Sequence, residues 1–255
     1  MSNQDENQSL VGHLTELRSC LVYIIVAVLV GFGFSWIFSE QLFEIIRQPL
    51  YGVTSKGLVF TAPMDKFLAH IKVSLLSGVI LTCPFWIYQI WRFIAPGLYE
   101  NEKKIGIAFI FSGSLLFLAG VSFVYFIVFP MAFDFLINFG GGMDEAMITI
   151  SDYLSFFTTT TLVFGLAFEM PLILTILGVA GVIDHHFLAS KRRYAIVLMG
   201  MMSAFFTPPD VISMFAMLVP LALLYEVSII ALKFLGRKNK SEEDDSSDLE
   251  NAEHT

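Results

Sequence analysis

Two acidic residues beside apolar segments could hold a positively charged ligand. Glu16 lies in the sequence HLTELR, just before the first apolar run, and Glu102 lies in FIAPGLYENEKK, between two later runs, with Glu100 close by. A carboxylate can bind a guanidinium group through two parallel hydrogen bonds. From the residues alone, the simpler interpretation of these carboxylates as solvated surface acids stays open.

A further acid lies inside an apolar run. Glu169 is the only charged residue from Tyr153 to Ile183, and a carboxylate within a membrane span is costly unless it faces the bundle interior, water or a partner. Pro171 lacks a backbone donor, so we expect the helix to loosen there. Two interpretations are open: a protonated acid bonded within the bundle, or a group used in coupling or partner contact. Glu226 lies nearer the cytoplasmic end of its span, so its side chain can snorkel to the membrane interface or pair with another group.

Motifs for catalysis or cofactor binding are missing from the sequence. There is no Walker-type loop, HExxH pair or GxSxG turn, which argues against nucleotide hydrolysis and the common hydrolase mechanisms. Cys20 and Cys83 fall in or beside apolar runs, where a thiol behaves as a small hydrophobic group. We therefore expect no enzyme activity, no catalytic residue, no metal site and no cofactor.

The composition is typical of an integral membrane protein. Of 255 residues, 56% are hydrophobic and 15% are charged, whereas about a quarter of the residues of a soluble domain are charged. The net charge of -8 is concentrated at one end, because residues 241–255 contain seven acids and no Lys or Arg. The remainder is nearly neutral, so we expect no nucleic-acid partner.

The apolar runs predict an all-α integral membrane protein with six transmembrane helices. The predicted spans are residues 20–38, 73–91, 105–133, a stretch within 153–183, 194–207 and 211–232. The fifth span is short, since its helix would cover only ~21 Å of a ~30 Å hydrocarbon core. Pro130 is expected to end the third helix. The chain then divides into a cytoplasmic amphipathic segment (1–19), a membrane domain (20–235) and a disordered acidic cytoplasmic tail (236–255).

The basic residues orient these spans. Most fall on one side of the predicted membrane, and the positive-inside rule assigns that side to the cytoplasm. With six spans, both termini lie on this cytoplasmic side. These bases are Arg92, Lys103, Lys104, Lys191, Arg192, Arg193, Lys233, Arg237, Lys238 and Lys240. The first external segment also contains bases, namely Arg47, Lys56 and Lys66.

Six stretches together resemble the TatC subunit family of the twin-arginine protein translocase. They are HLTELR (13–18), FIAPGLYENEKK (93–104), YFIVFP (125–130), DYLSF (152–156), FEMP (168–171) and TPPD (207–210). Each is short, but they follow the family's order and membrane depth. The resemblance covers nearly the whole chain apart from its polar ends.

The resemblance implies a receptor and scaffold for export of folded proteins, driven by the protonmotive force across the bacterial cytoplasmic membrane. It implies that a twin-arginine signal peptide is bound by Glu16, Arg18, Phe93, Pro96 and Glu102. It also implies that the single-span partners TatA and TatB are contacted through Phe168, Glu169, Thr207 and Asp210. Besides these partners and the lipid bilayer, it implies self-association in a receptor complex.

The sequence departs from the family pattern in two places. Ser19 and Cys20 stand where members often have more bases, and Met214 stands where they often have glutamine. The competing function class is an ion-coupled carrier of small solutes, with Glu169 as the coupling carboxylate. Interrupted hydrophobic segments at corresponding positions in the two halves of the sequence would favour a carrier. The two halves of this sequence show no such correspondence.

Overall fold

Helices form nearly all of the described structure. The computed structural model describes residues 3–51, 57–94, 106–138, 147–179, 181–207 and 211–253. Within these ranges the only strand-like pairing is an isolated bridge between Val59 and Thr149. The predicted all-α class is confirmed.

The chain divides into two compact units, Met1–Leu166 and Ala167–Thr255. The helices that begin in the first unit are α1 (Asn3–Ile37), α2 (Ser39–Tyr51), α3 (Asp65–Leu81), α4 (Cys83–Ile94), α5 (Gly106–Phe123), α6 (Phe129–Asn138) and α7 (Ile150–Phe168). Those of the second unit are α8 (Met170–Val179), α9 (His185–Phe206) and α10 (Val211–Glu253). Helix continues across residues 19 and 235, and the predicted division of the chain at these points stays a prediction.

Four helical segments of the described chain are long and apolar enough to cross a membrane. They are Leu14–Ile37, Gly106–Asn138, Ile150–Gly178 and Ser213–Lys233. Helices α3 and α4 together make a fifth if the pair, bent by 57°, is one span. The count of six, which needs the apolar part of α9 as well, stays a prediction, as does the orientation of the termini.

Helices α1 and α3 approach each other at two glycines. A Cβ added to Gly31 would lie 2.8 Å from the carbonyl oxygen of Gly78, and a Cβ added to Gly78 would lie 2.6 Å from the backbone nitrogen of Phe32. Such spacing excludes any larger residue without a backbone shift. Two single glycines, one on each helix, therefore set the distance between α1 and α3.

The bend between α3 and α4 is held by local hydrogen bonds. Thr82 ends α3 and its Oγ1 donates to the Gly78 carbonyl at 2.8 Å, while Pro84 is the second residue of α4 and cannot donate a backbone hydrogen bond. The Trp86 Nε1 donates to the Val79 carbonyl across the bend at 3.1 Å. The end of α4 then lies beside the part of α1 around Glu16.

Pro130 does not end the third apolar helix. A π-helical turn, Val124–Val128, precedes it, and α6 then continues from Phe129 to Asn138. A π turn shifts the backbone hydrogen-bond register, and here it lies just before the residue that cannot donate. The prediction that the helix stops at Pro130 was wrong because the helix accommodates the missing donor instead of ending.

Helix α2 is fixed against the other helices of the first unit by two tyrosines. The Tyr125 hydroxyl donates to the Ile45 carbonyl at 2.7 Å, and the buried Tyr153 hydroxyl donates to the Ile46 carbonyl. Both acceptors lie in the middle of α2. These two hydrogen bonds make α2 a fixed part of the first unit.

In the second unit, α8 and α9 pack on α10. Arg192 forms a two-point ion pair with Glu226, with Nε to Oε1 and a terminal nitrogen to Oε2 both at 2.8 Å. One position earlier on α10, the Tyr225 hydroxyl donates to the Leu188 carbonyl at 2.9 Å. Of the two alternatives left open for Glu226, snorkelling or pairing, the structure shows pairing with Arg192.

Candidate functional site

A cavity of about 300 Å³ brings two of the predicted signal-peptide residues together. Glu16 lies on α1 and Phe93 on α4, and both line this cavity. Glu16 is exposed and Phe93 is partly buried. The cavity therefore offers a carboxylate that a ligand can reach, beside an aromatic surface that is already packed.

Close packing fixes the end of α4 that carries Phe93. The Trp91 and Phe109 rings have centroids 4.8 Å apart, and a Cβ on Gly106 would overlap the Trp91 indole. Trp91 is buried. These contacts anchor the end of α4 on the beginning of α5.

The other predicted residues of this group are placed differently. Arg18 is exposed on α1 but does not line the cavity, since two positions along a helix turn the side chain by about 200°. Pro96 and Glu102 lie outside the described residues. The grouping of Glu16 with Phe93 is a structural fact, whereas the roles of all five residues stay predictions.

Sequence reasoning did not select the other residues that line this cavity. They are Thr15, Ser19, Cys20, Tyr23 and Arg92. Helical spacing could have found the first four, because residues three or four positions from Glu16 or from each other share its face of α1. Arg92 places a cation in the same cavity as the Glu16 carboxylate, so the two charges partly offset each other.

Glu169 occupies a break in the helix between Phe168 and Met170. Helix α7 ends at Phe168 and α8 begins at Met170, which agrees with the loosening expected from Pro171. Glu169 is only 6% exposed, and its Oε1 has no hydrogen-bond partner in the described part of the chain. A buried acceptor without a partner is uncommon and points to a missing partner group.

Thr207, in contrast, satisfies its own polar groups. Its backbone nitrogen and its hydroxyl both donate to the Ser203 carbonyl, at 3.0 Å and 2.7 Å, and the residue is buried. Asp210 lies outside the described residues, and Phe168 is partly buried. Thr207 therefore acts first as the cap of α9, and a role in partner contact would be additional.

Comparison with known proteins identifies the family. The family model of TatC, the Sec-independent protein translocase protein, matches residues 12–220. The chain belongs to the TatC family. TatC of Desulforapulum autotrophicum is 39% identical over 250 residues, which cover 97% of this chain and 93% of that protein. TatC of Aquifex aeolicus is 40% identical over 234 residues, covering 91% and 97%.

A solved structure supports the same conclusion for the fold. The crystal structure of the twin-arginine translocase receptor TatC superimposes with a TM-score of 0.79 at 39% identity, covering 87% of this chain and 98% of that one. As a TatC-family member, the chain is an integral protein of the bacterial inner membrane and a component of the Tat protein-translocation pathway. It belongs to a transport family and not to a known enzyme family.

Proposed function

We propose that this TatC-family chain is the receptor for twin-arginine signal peptides and the core scaffold of its translocase. The observation that carries the proposal is the cavity shared by Glu16 and Phe93, in a chain with this family membership. Signal peptides of folded cargo would bind there, at the cytoplasmic face, with both termini on that side. Six spans would form the membrane domain.

Charge and geometry make this cavity suitable for arginine. Glu16 can accept two hydrogen bonds from one guanidinium, and such charge-assisted pairs are shorter and stronger than neutral ones. Tyr23 on the same cavity is 51% exposed and offers a ring face on which a guanidinium can stack. Glu102, on the segment that follows α4, would supply the carboxylate for the second arginine, with Arg18 and Pro96 nearby.

A second surface would assemble the single-span subunits TatA and TatB. Glu169 supports this part of the proposal because its buried Oε1 has no partner among the described residues. A polar group on a partner helix could supply the missing hydrogen bond. Phe168, Thr207 and Asp210 would contribute to the same function, and the protonmotive force would drive transport once the complex has formed.

Crosslinking of a signal peptide tests the receptor role. A peptide with a photoreactive group beside its arginine pair should crosslink to the wild-type protein, and Glu16→Ala or Glu102→Ala should reduce the yield by roughly tenfold, as expected for loss of a charge-assisted bond. Asp134→Ala is a matched control, because this exposed acid lies on α6 and does not line the Glu16 cavity. Equal yields from all four proteins would contradict the proposal.

Export in cells distinguishes the receptor from an ion-coupled carrier of small solutes. Cells that lack their own TatC should regain export of a folded twin-arginine reporter when they express this chain with its partners. A carrier would leave the reporter in the cytoplasm. The same strains expressing the Glu16→Ala variant should show reduced export if the cavity is the receptor site.

A further inference from the structure

Two bases of the first external segment meet at one cavity. Arg47 and Lys66 are exceptions to the charge pattern that orients the chain, and both line a cavity of about 500 Å³ beside α2. The other residues on this cavity are Glu40, Gln41, Phe43, Glu44, Ala69 and His70. All of them belong to the first unit. The cavity is separate from the one that contains Glu16.

The two cations are held in place by aromatic rings. The guanidinium carbon of Arg47 lies 4.1 Å from the centre of the Phe43 ring, and one of its terminal nitrogens pairs with Glu44 at 2.8 Å. The Lys66 Nζ lies 4.9 Å from the centre of the Phe60 ring. Within the described ranges no carboxylate pairs with Lys66, so its charge is available to an anion from outside.

The cavity also carries negative charge and unsatisfied nitrogens. Glu40 and Glu44 balance the two cations, so a ligand with one charge of each sign fits better than a simple anion. The Arg47 Nε and the His70 Nδ1 are buried and have no hydrogen-bond partner among the residues described. A buried nitrogen without a partner is uncommon in a folded protein and is consistent with a polar group that a ligand contributes.

An apolar wall adjoins this polar cavity. A second cavity of about 340 Å³ shares Glu40, Gln41 and His70 with the first and is lined on its other side by Trp36, Ile37 and Phe67. Ile37 is 72% exposed and Phe67 is 52% exposed. A ligand that fills both cavities would therefore have a charged end and an apolar end.

The position along α1 places this surface at a membrane interface. Trp36 follows Glu16 by about 20 residues, or ~30 Å of helix, which equals the thickness of the hydrocarbon core. Tryptophan and other aromatic residues concentrate at headgroup level. If Glu16 lies at one interface, Trp36 and the polar cavity lie at the other, whichever side is cytoplasmic.

We propose that this cavity binds the headgroup of phosphatidylethanolamine from the surrounding bilayer. The phosphate would lie against Arg47 and Lys66, and the ammonium group would face Glu40. The acyl chains would run along Trp36, Ile37 and Phe67. The site explains why two bases are present at the end of the helices where the orientation rule disfavours them.

Lipid binding by the purified protein tests this proposal. The full chain is delipidated in detergent, titrated with phosphatidylethanolamine, and examined by native mass spectrometry for bound lipid. Arg47→Gln with Lys66→Gln should lower the apparent affinity by roughly tenfold or more, because charge-assisted bonds to the phosphate are lost. Arg193→Gln is the control, since it removes an exposed base from the second unit.

Two further measurements identify the ligand. Glu40→Gln should weaken binding of phosphatidylethanolamine but not of phosphatidylglycerol, which has no ammonium group. Glycerophosphoethanolamine, which has no acyl chains, should bind far more weakly than the lipid. If the double variant does not fold, Lys66→Gln alone, which changes an exposed side chain, should still lower the affinity.

Several outcomes would overturn the proposal. Wild-type affinity in the Lys66→Gln and Glu40→Gln proteins would exclude the headgroup site. An equal loss in the Arg193→Gln control would show that the affinity depends only on overall charge. Equal binding of glycerophosphoethanolamine would assign the cavity to a soluble phosphate compound and not to a lipid.

Discussion

The backbones of Gly31 and Gly78 touch where α1 crosses α3. A Cβ on Gly31 would lie 2.8 Å from the Gly78 carbonyl oxygen and equally close to the Thr82 side chain. This contact sets the separation between α1, which lines the Glu16 cavity, and α3, which lines the cavity that contains Arg47 and Lys66. A substitution that separates these two helices should therefore affect the stability of the protein and the shape of both cavities.

Gly31→Ala should destabilise the protein by about 1–3 kcal/mol, because an extra carbon in a closely packed contact forces the helices apart. The measurement is the thermal unfolding midpoint in detergent. Gly33→Ala is the control, since a Cβ there meets nothing within 4 Å and alanine has the higher helix propensity. An unchanged midpoint for Gly31→Ala would show that α1 and α3 are less tightly packed than described.

The ion pair between Arg192 and Glu226 should contribute modestly to the packing of α9 on α10. Both side chains are nearly half exposed, so solvent screens the charges and we expect ~0.2–1 kcal/mol for the pair. The single variants Arg192→Gln and Glu226→Gln and the double variant form a cycle, measured by thermal unfolding at low and high salt. A coupling energy that is zero at both salt concentrations would show that the pair does not stabilise this unit.

Arg92 should oppose the binding of arginine to the cavity that contains Glu16. Removing its charge with Arg92→Gln should strengthen binding of a twin-arginine peptide about twofold, because like charges in one cavity with water-like surroundings repel by a fraction of a kcal/mol. The gain should shrink at high salt. Lys191→Gln, on the second unit, is the control. A marked loss of binding in the Arg92→Gln protein would instead show that Arg92 positions the ligand.

The helices of this fold and the break beside Pro171 could be predicted from the sequence, but the other bends could not. Long apolar runs predict membrane helices because the bilayer demands internally satisfied backbone groups. The 57° bend after Leu81 and the π turn before Pro130 depend on which groups lie close to a proline. Pro84 ends one straight segment and Pro130 does not, although both lie in apolar runs.

Only part of the candidate site could be predicted from the sequence, because the remaining residues meet through tertiary packing. The resemblance grouped Glu16 with Phe93, and the structure places them on one cavity. It could not place Arg92, because a residue next to Phe93 in sequence can face either side of a helix. The cavity formed by Arg47 and Lys66 was not expected at all, since these residues are 19 positions apart and meet only through tertiary packing.

Glu169 should matter more for partner assembly than for capture of the signal peptide. Its buried Oε1 has no partner among the described residues, so a partner helix can gain a hydrogen bond there, and hydrogen bonds are stronger in a low-dielectric interior. Glu169→Ala should therefore reduce recovery of tagged TatA and TatB in an affinity pull-down while leaving peptide crosslinking at the Glu16 cavity intact. Glu226→Ala is the control, since that carboxylate is already paired with Arg192.

Glu169→Gln keeps an acceptor at the same position and should recover part of the assembly. Equal partner recovery by the wild-type and Glu169→Ala proteins would leave Glu169 with a role inside the bundle only.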